Sequence, residues 1–228
     1  MIKKFIFHST FIAAVICLLI LGYWQLQRLQ WKNDLISSIE LNYNSKTIDF
    51  PILNDADNKY EYMQTHIEGK FMVKQSMFFF RSNLRGESGY EIVVPFKTTL
   101  SKDVYVIIGW IPFDKKDEID LKFIDDSALT KIEGSLIYSK KRKPLIPDND
   151  ISSNVWYLMN SEEMDIVNNL NSSNYLLKIT DKNYFPQILI EFEPTNITNN
   201  HLQYAGTWFL LALVNTIMYI YFIYRKVH

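Results

Sequence analysis

Two uncharged apolar stretches, one near each end, decide what this chain can fold into. From Tyr204 to Tyr224 about twenty residues pass without a formal charge, enough to cross a ~30 Å hydrocarbon core at ~1.5 Å rise per residue. A second such run extends from Phe5 to about Tyr23. Everything between is polar. The pattern predicts two membrane-spanning helices, residues 5–24 and 201–224, with short tails at 1–4 and 225–228 and an aqueous domain over 25–200.

Lys3, Lys4, Arg225 and Lys226 lie against the spans at the two tails. The positive-inside rule assigns those tails to the cytoplasm and the central domain to the periplasm, although Arg28 and Lys32 near the other face weaken the contrast. The opening Met1-Ile-Lys-Lys is signal-like, but no small-x-small cleavage site follows the apolar run. Gly22-Tyr-Trp-Gln instead puts aromatic rings at the membrane border, as in a retained anchor. With the run starting at Phe5, no Arg-rich presequence fits ahead of it. A bacterial inner membrane is expected, or a mitochondrial inner membrane for a trimmed eukaryotic chain.

Between the spans, Trp24, Arg28, Trp31 and Leu35 recur at helical spacing, so the first helix is expected to continue to about Asn42. Asn42 to Asn58 reads as a loop. Beyond it, β-branched and aromatic runs predict strands at Tyr60–Glu68, Lys70–Arg81, Tyr90–Thr98, Val104–Trp110, Lys131–Ser139 and Ile188–Phe192. A short helix is expected from Ser161 to Leu170, capped by Ser161, with Glu162 and Glu163 in its first turn. The fold class is a membrane α-helical hairpin around a mainly antiparallel β domain, barrel-like, with one small helix.

A net charge of −1 gives no basic field, and nucleic acid is not an expected partner. The one cysteine, Cys17, lies in the first span, so neither an intramolecular disulfide nor a thiolate metal cluster can form. No Walker loop, His-Glu-x-x-His or Gly-x-Ser-x-Gly occurs, and His66, on a strand, reads as a packing or surface residue. An enzyme is not expected. Lys140-Lys-Arg-Lys143 reads either as a solvated loop or as a site for anionic lipid or a partner.

The start of the second span carries more. His201, Tyr204, Ala205, Trp208, Ala212 and Asn215 fall at spacings that put them on one helix face, with an imidazole at the border and an amide deep in the bilayer. Two readings remain open. In one, His201, Tyr204 and Trp208 are headgroup anchors and Asn215 bonds to the other span. In the other, His201 is an axial ligand to haem iron, Trp24, Tyr204 and Trp208 pack near the ring, and Arg28 pairs with a propionate.

Several segments resemble one family. His201-Leu-Gln-Tyr-Ala-Gly-Thr-Trp-Phe-Leu-Leu-Ala is similar to the C-terminal signature of the Surfeit locus protein 1 family, cytochrome c oxidase assembly factors. Gly22-Tyr-Trp-Gln-Leu-Gln-Arg-Leu-Gln-Trp-Lys, Arg85-Gly-Glu-Ser-Gly-Tyr-Glu-Ile-Val-Val-Pro and Gly109-Trp-Ile-Pro112 resemble its earlier blocks, in order along the chain; Pro147-Asp-Asn with Trp156 fits a later one. Ile108 departs from the pattern, where an Arg often precedes Gly-Trp-Ile-Pro. The resemblance implies binding of haem a, with His201 as the haem-associated residue, and its delivery to the catalytic subunit of the oxidase. Membrane lipid is an expected partner, and haem a synthase a further candidate. The alternative is a scaffold that stabilises oxidase intermediates and binds no cofactor.

Overall fold

The computed structural model describes residues 2–50, 58–142 and 144–227. Two long helices enclose a β domain in sequence. Helix α1 runs from Ile2 to Tyr43, and α3 from His201 to Val227. Both contain stretches long and apolar enough to cross a membrane. Their large side chains, among them Phe5, Ile12, Ile20, Leu210, Leu213 and Ile217, are exposed along most of that length. An apolar surface of this extent calls for lipid rather than water. As expected, α1 continues well past its apolar part.

The chain divides into two compact units. One holds the residues up to Ser38 together with those from Thr195 onward, and the other is Ile39–Pro194. Within the first, α1 and α3 pair as an antiparallel hairpin. The less exposed residues of α1 include His8, Phe11, Val15, Leu18, Gly22, Gln25, Leu29, Lys32 and Ile36; on α3 they include His201, Ala205, Trp208, Ala212, Asn215 and Tyr219. Both series alternate steps of three and four, the repeat that keeps one seam facing a partner helix. The pairing is fixed along its length. Phe11 stacks on Tyr219 with ring centroids 3.9 Å apart, and His8 Nδ1 lies 2.5 Å from the Tyr219 hydroxyl. At Gly22 the helices come close enough that a Cβ would meet Phe209 Cε1 at 2.6 Å.

The second unit is built on a closed five-stranded barrel. Its staves are β2 (Gln64–Phe71), β4 (Ser88–Thr98), β5 (Val104–Pro112), β6 (Thr130–Tyr138) and β8 (Tyr175–Ile179). They run in the order β2-β6-β8-β5-β4, and a β2–β4 pairing at Gly69–Phe71 closes the ring. There a Cβ on Gly69 would run into the Lys97 carbonyl, so the close approach requires glycine. The strands β1 (Ile48–Asp49), β3 (Met77–Ser82) and β7 (Val155–Trp156) extend the sheet outside the ring.

Two cores explain why β4 and β5 read as nearly unbroken apolar runs. Ile92, Val94, Phe96, Val104, Val106 and Ile108 fill the barrel with Ile132, Leu136 and Leu177. The alternate residues Val93, Tyr105 and Ile107 point outward, into a second core with Phe79, Trp156, Met159 and Met164. Strands covered on both faces lose the polar alternation of a half-exposed sheet. Helix α2 (Ser161–Asn168) contributes Met164 to that outer core.

Several expectations are corrected. Lys70–Arg81 is two strands, because a 3-10 turn at Val73–Gln75 separates β2 from β3. The strand expected from Tyr60 begins at Gln64, after turns in which Tyr62 adopts φ 70°. Ile188–Phe192 is no strand and makes only a bridge between Leu189 and Trp110. The sequence reading places no strand at Tyr175–Ile179, yet this is a barrel stave. Asn160, not Ser161, caps α2, its side chain accepting from Glu163 N at 2.9 Å. Part of the expected loop after Asn42, residues 51–57, lies outside the described residues, as does Lys143.

Candidate functional site

The start of α3 is held to α1 by three polar links in succession. Lys32 Nζ donates to the Thr198 carbonyl, and Asn199 Nδ2 donates to Asn33 Oδ1 at 2.9 Å. The third link is between His201 Nδ1 and Gln25 Oε1, at 2.7 Å. The first two links are solvent-exposed and the third is half-buried, and together they tie the residues leading into α3 to one stretch of α1, Gln25 to Asn33. Asn199 Oδ1 is buried with no partner among the described residues.

The His201 contact also fixes a tautomer. An amide oxygen only accepts, so the bond exists when Nδ1 carries the proton. The neutral ring then bears its lone pair on Nε2. No hydrogen bond to Nε2 occurs among the described residues, and the ring is half-buried. An imidazole with one nitrogen anchored and the other uncommitted is the arrangement that a metal-ligating histidine requires.

The five residues singled out in the sequence separate into two sets. His201 and Trp208 lie on the inward seam, with Ala205 between them only 1 % exposed. Trp24, Arg28 and Tyr204 do not: Trp24 is 45 % and Tyr204 55 % exposed. The Arg28 guanidinium lies over the rings of Trp24 and Trp31, at 5.7 Å and 5.3 Å from their centroids. No carboxylate pairs with Arg28 among the described residues, so its N–H groups are available to an anionic ligand group. Gly206 is exposed, with nothing within 4 Å of where a Cβ would stand. Among the described residues no bond runs from Asn215 across to α1 as the anchor reading expected; its Nδ2 donates to the Leu211 carbonyl one turn back.

By donor chemistry alone, an iron porphyrin would find here an imidazole nitrogen, exposed aromatic rings on Trp24 and Tyr204, and in Arg28 a cation without a carboxylate partner among the described residues. Gln25 is the component missed by sequence reasoning. Its signal was present in the three-and-four spacing with Gly22 and Leu29, which puts an amide on the seam.

The β domain presents different features. His66 is half-buried on β2, opposite Glu133. Within the basic run, Arg142 is engaged by Glu163, with Nη2–Oε2 at 2.7 Å, and by Asp148, so it is no open anion site. Ile108 is 0 % exposed inside the barrel core. A cleft of about 250 Å³ is lined by Arg81, Glu91, Lys178 and Phe192, among others. Its charges largely satisfy one another through Glu91, which bonds Lys178 and lies 3.7 Å from Arg81.

Comparison with known proteins agrees with this architecture. The SURF1 family profile matches residues 12–213. A SURF1-like protein of Rickettsia felis is 31 % identical over 92 % of this chain and 92 % of its own length. One from Rickettsia bellii is 32 % identical over 95 % and 90 %. A protein of Saccharomyces cerevisiae named as a cytochrome oxidase assembly protein is 24 % identical over 88 % of this chain and 70 % of its own length. With two apolar helices flanking a β-barrel domain in sequence and a match across nearly all its length, the chain belongs to the SURF1 family.

Proposed function

We propose that this chain is an assembly factor for haem–copper (cytochrome c) oxidase, holding haem a as cargo at the border of its two spans for delivery to the catalytic subunit. The oxidase role is supported by family membership and by the name of the yeast relative. The cargo role is supported by one observation: at the start of an apolar helix, His201 has Nδ1 tied to Gln25 and no hydrogen bond to Nε2 among the described residues. In this role His201 is an axial ligand of the iron, and Trp24, Tyr204 and Trp208 offer ring faces to the macrocycle. Arg28 offers its guanidinium to a propionate.

The chain performs no covalent chemistry in this scheme. Reversible ligation by one histidine suits a carrier that must release what it holds. Lys3, Lys4, Arg225 and Lys226 support cytoplasmic tails and a periplasmic β domain in an inner membrane. The haem is received from haem a synthase, and lipid surrounds the hairpin.

The test is an absorption spectrum, with pyridine haemochrome identification, of detergent-purified protein from cells that make haem a. Wild type is expected to carry haem a, and His201→Ala to lose it along with most of the assembled oxidase. Colourless wild-type protein, with His201→Ala supporting normal oxidase, overturns the cargo role and leaves a scaffold that binds no cofactor.

A further inference from the structure

The tie between His201 and Gln25 has a role beyond holding two helices together. Gln25 is half-buried on the inward face of α1, one turn from Gly22 and one from Leu29. A leucine there would pack the seam without having to satisfy an amide, so an amide at this position calls for a partner. That partner is His201 Nδ1 at 2.7 Å. The backbone ahead of His201 is already held by the Lys32–Thr198 and Asn33–Asn199 links. The freedom left to the imidazole is that of its own side chain, a staggered first torsion and a broad, roughly two-fold ring torsion.

We infer that Gln25 is a positioning residue: its side-chain oxygen holds the His201 ring in the orientation and tautomer that present Nε2 to iron, and as a neutral acceptor it keeps that ligation releasable. This rests on the haem-holding reading above. The choice of acceptor carries the second half. A carboxylate bonded to Nδ1–H draws the proton away and makes the imidazole a more basic, more tightly binding ligand. A neutral amide oxygen orients the ring while adding less electron density. For a resident cofactor the stronger ligand is an advantage; for cargo it is an obstacle.

The experiment titrates haem a into full-length, detergent-purified protein and reads three quantities: dissociation constant, midpoint potential of the bound haem, and rate of loss to excess apomyoglobin. Gln25→Leu is expected to bind about 10–100-fold more weakly, the usual cost of deleting such an outer partner. Gln25→Glu is expected to bind more tightly, at a lower midpoint potential, and to lose haem more slowly. A purely structural role would not move the two variants in opposite directions. Thermal melts of both variants establish that they are folded. Folded variants that match wild type in all three quantities overturn the inference while haem uptake by wild type and its absence in His201→Ala keep the cargo reading. Wild-type protein that takes up no haem a overturns both.

Discussion

Lys178 Nζ and Glu91 Oε1 meet at 2.5 Å on the outer wall of the barrel, although their strands, β8 and β4, are separated by β5. Only 16 % of each side chain is exposed. Removing one member of such a pair leaves the other charge buried without compensation. Glu91→Ala is expected to destabilise the protein by about 3 kcal/mol, at the low end for a broken buried pair. Glu91→Leu combined with Lys178→Met should recover most of that loss, since an apolar pair carries no desolvation cost. Denaturant melts of the three variants against wild type check this.

Gly22 sets how closely the two spans approach. A Cβ there meets the Phe209 ring edge, which can swing aside, so Gly22→Ala is expected to be nearly neutral. Gly22→Val is expected to cost about 1–3 kcal/mol as an overpacked seam. Gly22→Val with Phe209→Ala should restore part of it. Melting temperatures in detergent, read with a thiol-independent probe, distinguish the outcomes.

The cap of α2 separates two accounts of one helix. Asn160→Ala removes the bond to Glu163 N and one to the Lys140 carbonyl, and is expected to cost about 1 kcal/mol or slightly more. Asn160→Ser, which can still accept from the first turn, should recover part of the loss. A thermal melt showing no change in Asn160→Ala would return the capping role to Ser161.

Acid should loosen the segment around α2. The bond from Arg142 holds the Glu163 carboxyl below its ordinary value of 4.5, and hydrogen bonds from Ser152 and Ser153 hold Asp150 down at about 2. Carboxyls lowered on folding give stability that is fully present above their unfolded values and is lost as pH falls through the folded ones. The loss therefore lies between about pH 4.5 and 2. Glu163→Gln with Asp150→Asn should flatten the dependence of melting temperature on pH in that window and leave it unchanged above pH 6.

Sequence alone determined the parts of this protein that depend on composition along a line. Charge-free runs ending near Tyr23 and Tyr224 can satisfy their backbone in lipid only as helices, so the hairpin was legible. The β-branched runs at Tyr90–Thr98, Val104–Trp110 and Lys131–Ser139 were legible for the same local reason. What only the tertiary structure decided depends on which segments meet. Tyr175–Ile179 is a stave because β5 and β6 both need a partner there to close the ring, and a five-residue run does not announce that. Trp24, Arg28 and Tyr204 share helical spacing with functional candidates, yet the seam is taken by Gly22, Gln25, Ala205 and Trp208. Small and amide side chains there let the helices approach. The His201–Gln25 bond joins residues far apart in sequence, and neither residue's own neighbours specify it. Local physics names an element; only packing says which of its faces is left for chemistry.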